Sequence, residues 1–420
     1  MNKSTVCILG LGYIGLPTAA MFASKGVNVV GVDTNIAVVD TINAGQIHII
    51  EPGLQDLVAL AISDGYLIAS TIPVESDVYI ICVPTPFYGD HQPDLTYVKS
   101  ACGSIAPFLK KDSLVIVEST SPVGTTLQVC EWLSELQPNL DFPHNNEHPN
   151  VHIAYCPERV LPGNVMRELV DNDRIIGGMT DVCAKRSVEI YSEFVKGEFL
   201  LTDAKTAELA KLTENSFRDV NIAFANELSL ICDNLAIDVW ELIALSNRHP
   251  RVNVLNPGAG VGGHCIAVDP WFIVDAAPEQ SKLIKTARLI NDHKPVWVVD
   301  KIKATVLDIA KETDKPIGDI VVACFGLTFK PDIDDLRESP ALQIFQMLES
   351  QAKYTCLAVD PNVKEIPNSK SQASLVSCDY AIEMADLCVV LVAHSEFSEI
   401  IWDKPHLRNR TLNFVGPLKR

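Results

Sequence analysis

The segment "TVCILGLGYIGLPTAAMFASKGVNVVGVDTN" constrains the chain more than any other. An apolar run of strand length enters Gly10, Gly12 and Gly15; an amphipathic stretch follows, and a second apolar run ends at Asp33. Strand, glycine turn, helix and strand in that order open a doubly wound parallel sheet. In G-x-G-x-x-G the first glycine permits the tight turn and the second lets a pyrophosphate approach the backbone. The third allows close helix–strand packing, and the helix start offers N–H groups to phosphate oxygens. Glycine turns are common, so the pattern alone is weak. Asp33 strengthens it, because an acid at the end of the next strand, about 20 residues on, can bind ribose hydroxyls. Thr34 and Asn35 follow, with no arginine to receive a 2′-phosphate, so NAD is expected rather than NADP.

Further strand-like runs, "DVYIICVPTP", "SLVIVEST" and "HIAYCPE", alternate with amphipathic stretches. Thr85, Thr120 and Thr126 stand where such strands end, on the ligand side of a sheet of this kind, and are candidates for cofactor contact. From about Asp203 to Asn247 the pattern is helical. "DAKTAELAKLTENSFRDVNIAFANELSLICDNL" has no proline or glycine and places Leu, Phe and Ile at helical spacing. A second helical region, "EQSKLIKTARLINDHKPVWVVDKIKATVLDIAKE", ends near a Lys-Pro-Ile-Gly connector. A second α/β segment then carries strand-like runs at "DIVVACFG", "YTCLAVDPNV" and "ADLCVVLVAH", with a single glycine, Gly326, where the first segment has three. The expected fold is α/β: two Rossmann-like doubly wound parallel-sheet domains joined by a long central helix and a helical middle domain. The boundaries are expected near 1–200, 201–314 and 315–420.

A chain of 420 residues calls for two or three domains, and 47% hydrophobic with 21% charged residues is ordinary globular composition. A formal net charge of −19 argues against nucleic acid as a partner. No apolar run approaches a membrane span, and the N-terminus enters a strand without room for a secretion signal, so a cytoplasmic protein is expected. The twelve cysteines are scattered, with no C-x-x-C pair, which fits reduced thiols and offers no paired ligands for zinc.

Lys211, Asn215 and Arg218 are spaced i, i+4, i+7, which puts an ammonium, an amide and a guanidinium on one helical face. Such a trio is usually a solvated face. Leu209, Leu212, Phe217 and Val220 around it suggest a helix packed on several sides, so that the polar stripe would line a cleft. A Lys–Asn pair can stabilise a developing alkoxide and relay its proton when hydride leaves an alcohol carbon. In "NPGAGVGGHCIAVDPW", Asp269 and Pro270 read as an N-cap and N1 proline, placing Cys265 just ahead of a helix start. A helix N-terminus and a nearby lysine favour thiolate. A thiolate can add to an aldehyde, and a second hydride transfer then gives a thioester. Taken alone, Cys265 would be read as a packed loop cysteine.

Together "GLGYIGLP", "VPTP", "ESTSPVGT", "CPERVLPG", "AKLTENSFRDVNIAFANEL", "GVGGHCIAVDP" and "FKPDIDDLRESPA" resemble the UDP-glucose/GDP-mannose dehydrogenase family, in the family's order, from about residue 6 to 395. "PERVLPG", "NRHPRVN" and "GGHCIAVDPWFIV" look closest to its branch acting on N-acetylhexosamine nucleotides. The resemblance implies oxidation of a sugar C6 from alcohol to acid with two NAD+ and one water, for bacterial surface polysaccharide synthesis, by a homodimer. It implies Cys265 as covalent nucleophile, Lys211 and Asn215 on the C6 oxygen, and Lys211 as acid/base. Asp269 would help activate the thiol or the water, and Glu158, with Thr120 nearby, would assist hydrolysis. Arg159, Val160, Arg218, His249, Arg251, Gly262, Phe329 and Lys330 would complete the UDP-sugar site. Tyr13 and Ile14 in the glycine loop and Arg337 would contact the cofactor, and the second α/β segment becomes a uridine-diphosphate domain. Val268 stands where the glucose branch has a lysine, and Pro162 where it has a second glutamate; both changes favour an N-acetylhexosamine over glucose. N-acetylmannosamine is the first expectation at C2 and N-acetylglucosamine the alternative. More remote readings are a two-electron β-hydroxyacid dehydrogenase, which has no catalytic cysteine, and an NAD-binding regulatory protein without catalysis.

Overall fold

The computed structural model describes all residues except 1–3, 90, 147, 162, 264, 352, 368–374, 401–409 and 417–420. They form two compact units, Met1–Glu214 with Trp271–Ala277, and Asn215–Pro270 with Pro278–Arg420.

The first unit is built on ten strands: β1 (Thr5–Leu9), β2 (Asn28–Val32), β3 (Leu67–Ser70), β4 (Val78–Ile81), the short hairpin β5 (Phe87–Tyr88) and β6 (Gln92–Pro93), β7 (Leu114–Val117), β8 (His152–Tyr155), β9 (Arg174–Gly178) and β10 (Phe199–Asp203). Its helices are α1 (Gly15–Ser24), α2 (Ile36–Asn43), α3 (Leu54–Ser63), α4 (Thr96–Ile105), α5 (Thr125–Leu136), α6 (Val165–Asp171) and α7 (Asp181–Tyr191). The main sheet runs β10-β9-β8-β7-β4-β1-β2-β3. From β3 to β8 every pairing is parallel, whereas β9 runs antiparallel to β8. Strand order reverses beside β1, between β2 and β4, and in open sheets of this kind the ends of the strands at such a switch point are where ligands bind. The central strands are buried on both faces, as parallel sheets require. Val6 and Ile8 pack with Leu16 and Phe22 on one side, while Cys7 and Leu9 pack with Tyr79 and Val115 on the other.

α8 (Ala204–Leu235) begins in the first unit and ends in the second. Its 32 residues span about 48 Å at 1.5 Å per residue. The expected long helix is therefore present, but its packing is one-sided. Leu212 is buried, whereas Leu209, Phe217, Phe224 and Ile231 are exposed.

The second unit adds α9 (Val239–Ser246), the loop to α10 (Asp269–Ala276), α11 (Lys282–Thr313), α12 (Pro340–Gln351) and α13 (Cys378–Met384). A four-stranded all-parallel sheet of β11 (Val321–Phe325), β12 (Thr355–Val359), β13 (Leu387–Val390) and β14 (Thr411–Asn413) runs β12-β11-β13-β14. Val322 and Cys324 face one core and Ala323 and Phe325 the other, so this smaller sheet is also covered on both sides. Both units thus have the Rossmann-like parallel sheets foreseen. Sequence pattern missed β3, β9, β10 and β14. β3, β10 and β14 are short edge strands whose partial exposure breaks the apolar run, whereas the buried β9 opens on an arginine and closes on two glycines.

Candidate active site

In the first unit the glycine loop has the geometry the pattern implies. Gly10 is left-handed at φ 91°, and its N–H donates to the Val32 carbonyl at 2.7 Å. A Cβ on Gly10 would lie 2.5 Å from the Cys82 carbonyl oxygen, and one on Gly15 would lie 1.8 Å from that of Gly10. A Cβ on Gly12 meets nothing within 4 Å. The outer glycines are therefore demanded by the protein's own packing, and the middle one leaves open space against the backbone, where a pyrophosphate fits. Tyr13 and Ile14 complete the turn into α1. Asp33 accepts the Leu11 N–H on Oδ2 (3.0 Å) and the Asn35 N–H on Oδ1 (2.9 Å), which fixes a partly exposed carboxylate beside the loop. An open cradle beside a fixed acid, with Thr34 and Asn35 rather than a cation next to it, fits NAD.

Thr85 donates its hydroxyl hydrogen to the Thr120 carbonyl and so ties the loop after β4 to the loop after β7. Thr126 is fully buried; its N–H and hydroxyl both donate to Glu208 Oε1, at 2.7 and 2.6 Å. Its hydrogen is thus committed to a glutamate that burial pushes up in pKa against the pull of these bonds.

The loop after β8 carries Glu158, Arg159 and Val160. Glu158 is buried: Oε2 accepts from Arg174 Nη2 at 2.6 Å and Oε1 from the Arg159 N–H at 2.7 Å. Its main-chain oxygen accepts Lys211 Nζ at 2.8 Å. Arg159 donates to Glu214 at 2.8 Å and to the Asp173 carbonyl, and Val160 packs against the sheet's core.

In the second unit Asn215, one turn along α8 from Lys211, is buried and donates through Nδ2 to Asp269 Oδ2 at 2.5 Å. Cys265 is half-buried in the turn leading into α10, and its carbonyl accepts the N–H groups of Val268 (3.1 Å) and Asp269 (2.8 Å). The expected N-cap is displaced by one residue. α10 begins at Asp269 itself, and the aspartate carboxylate turns to Asn215. Val268, between Cys265 and Asp269 in that turn, is buried. Pro162 lies outside the described residues.

Two of the loop's glycines are demanded by the protein's own packing. A Cβ on Gly262 would lie 2.5 Å from the Glu338 carbonyl oxygen, and one on Gly263 would lie 2.9 Å from the Phe329 ring. Gly263 donates to the Arg337 carbonyl at 3.3 Å, while the Arg337 side chain forks onto Asp335. The segment after β11 that carries Phe329 and Lys330 is therefore packed on the loop that carries Cys265. Arg218, His249 and Arg251 are exposed.

Family models match along the whole chain. Residues 4–195 match the NAD binding domain of the UDP-glucose/GDP-mannose dehydrogenase family, 205–293 its central domain, and 323–413 its UDP binding domain. The chain belongs to that family. It is similar to the UDP-N-acetyl-D-mannosamine dehydrogenases of Escherichia coli K12 (58% identical, 97% of each chain) and Campylobacter jejuni (58%, covering 96% of this chain and 99% of that one). Among solved structures, UDP-D-ManNAc dehydrogenase from Pyrococcus horikoshii superposes with a TM-score of 0.87 at 36% identity, over 99% of this chain and 96% of that one. A dehydrogenase of this family uses NAD, and its NAD binding domain spans residues 4–195 of the first unit.

Two residues at the centre of the family enzyme's first unit were not foreseen. Glu118 lies in "SLVIVEST", a carboxylate closing a fully apolar strand, and that mismatch was a usable signal. Arg174 had none, because no spacing rule links a strand-opening arginine to partners 56 and 16 residues away.

Proposed function

We propose that this chain oxidises C6 of UDP-N-acetyl-D-mannosamine to the carboxylate, RCH2OH + 2 NAD+ + H2O giving RCOO− + 2 NADH + 3 H+. The observation that carries the reading is the Asn215–Asp269 hydrogen bond, which ties the polar face of α8 to the turn bearing Cys265. Relatives 58% identical over nearly the whole chain bear that substrate's name. NAD, when bound at the Gly10–Gly15 loop and Asp33, supplies the hydride acceptor for each oxidation.

Lys211 and Asn215 hold the C6 oxygen, and Lys211 takes its proton as the alcohol becomes an aldehyde. The Cys265 sulfur adds to that carbonyl to form a thiohemiacetal, whose oxidation leaves a thioester. Water, activated at the Asp269 carboxylate, cleaves the acyl–sulfur bond and returns the thiol. Thr120 and Glu158 are the further catalytic residues proposed, and Arg159, Val160, Arg218, His249, Arg251, Gly262, Phe329 and Lys330 are the proposed substrate contacts. Tyr13, Thr85, Thr126 and Arg337 are the further cofactor contacts proposed.

Incubation with UDP-N-acetyl-D-mannosamine should yield two NADH per sugar and a uronic acid, and Cys265→Ala should form no acid. One NADH per sugar with a stable aldehyde, or wild-type turnover in Cys265→Ala, would sink the thioester route. The same assay with UDP-N-acetyl-D-glucosamine decides the epimer. We further infer a cytoplasmic homodimer acting in polysaccharide synthesis. Phe217, Phe224 and Ile231, spaced seven apart on α8, are 69%, 54% and 47% exposed, an apolar stripe suited to a second copy. Light scattering should report a dimer that Phe224→Glu dissociates.

A further inference from the structure

We propose that Arg174 is a positioning residue that sets the Lys211 ammonium through Glu158; this rests on Lys211 serving the C6 oxygen. The chain of contacts lies wholly in the first unit. Arg174, the first residue of β9, is 4% exposed with its guanidinium 4.4 Å over the Tyr191 ring. Nη2 donates to Glu158 Oε2 at 2.6 Å; Nη1 donates to Glu118 Oε1 at 3.2 Å and lies 3.7 Å from Cys156 Sγ. Glu118 also accepts from the Tyr191 hydroxyl and from Cys82 Sγ at 3.1 Å. One guanidinium thus clips together the loop ends of β7 and β8, and Glu118 extends the array to the end of β4.

The residue at the centre of that clip, Glu158, has both carboxylate oxygens occupied from within the protein, and its carbonyl receives Lys211 Nζ at 2.8 Å. What Glu158 offers Lys211 is therefore a fixed carbonyl, whose place depends on where Arg174 holds the side chain of the same residue. Stability is a poor reason for the array. Buried ion clusters are commonly no better than apolar packing of the same volume, because desolvation offsets the attraction. Two carboxylates share one cation, and burial pushes Glu118 up in pKa against the opposing pull of Arg174. A rigid, directional scaffold is what such a cluster supplies and a greasy one does not.

The test compares Arg174→Met in wild-type and Lys211→Ala backgrounds, following NADH from UDP-N-acetyl-D-mannosamine with long incubations for the slow variants. A misplacement near 1 Å at a reacting group costs on the order of 100-fold. In the wild-type background Arg174→Met should therefore lower kcat by roughly 10- to 100-fold. KM for NAD should stay within about twofold, as expected when binding is left intact. On the Lys211→Ala background the further loss should shrink to under about threefold, because residues acting as one unit are not additive. Equal fold-losses in both backgrounds, or an unchanged kcat, would overturn the proposal. Should Arg174→Met not fold, Arg174→Lys keeps the buried cation but not the two-pronged hold on Glu118 and Glu158; it should show a smaller kcat loss that also vanishes on Lys211→Ala, and an additive loss overturns the proposal equally. Wild-type kcat in Lys211→Ala would instead sink the reading of Lys211 itself.

Discussion

The two sheets open with the same construction and finish it differently. Gly10 at φ 91° donates to the Val32 carbonyl, and Gly326 at φ 89° donates to that of Val359. Asp33 Oδ2 accepts the Leu11 N–H and Oδ1 the Asn35 N–H; Asp360 Oδ2 accepts the Leu327 N–H and Oδ1 the Asn362 N–H. The added Cβ that would strike Cys82 after β4 in the first sheet strikes Val392 after β13 in the second. What differs is the cover. Asp33 is partly exposed, while Asp360 is buried beneath His394, whose Nε2 lies 3.1 Å from Oδ2. His394 Nδ1 accepts the Asp332 N–H at 3.0 Å, so the ring hydrogen faces Asp360. The backbone turn fixes where an acid stands; the residue after the switch-point strand decides whether a ligand can reach it.

If that division is right, removing each aspartate breaks a different property. Asp360→Ala leaves the buried N–H groups of Leu327 and Thr328 and the His394 ring without their acceptor, and should cost about 3–5 kcal/mol of stability. Denaturant unfolding measures it, and a loss under about 1 kcal/mol would mean that the acid is not structural. Asp33→Ala frees the Leu11 and Asn35 N–H groups beside a partly exposed site, so it should cost only about 1 kcal/mol while raising KM for NAD roughly 10- to 100-fold, the value of a charged hydrogen bond to ribose. A destabilised protein with normal KM for NAD would erase the contrast.

How far this was legible follows from the same pair. Gly10, Gly12, Gly15 and Asp33 stand at spacings a sheet crossover imposes, so both the fold and the cofactor face could be read directly. Asp360 ends "YTCLAVD" just as Asp33 ends its strand, but with one glycine in place of three the equivalence passed as a loose echo. His394 meets Asp360 across 34 residues, a distance set by tertiary packing rather than period. Lys211 and Asn215 were legible because a helix relates i and i+4. The Asn215–Asp269 bond spans 54 residues, so sequence read Asp269 as a cap and could not show where its carboxylate turns.

The smallest effect is the sharpest test of the cover. Burial by itself would raise the Asp360 pKa, but the His394 ring and the backbone N–H groups outweigh it and hold the carboxyl below its usual 3.8. A carboxylate depressed in the folded state adds stability that is present above its unfolded pKa and lost as pH falls through the folded one. His394→Leu removes one of these holds, so the carboxyl should return toward 3.8, and the protein should lose about 1 kcal/mol near neutral pH. The gap between variant and wild type should then close as the solution is acidified from pH 3.8 down through the wild-type carboxyl's lower pKa, beneath which both protonate Asp360. Unfolding followed across that range distinguishes electrostatic cover from simple packing. A gap that stays constant with pH would show that His394 merely fills space over Asp360, and that the two aspartates differ in burial alone.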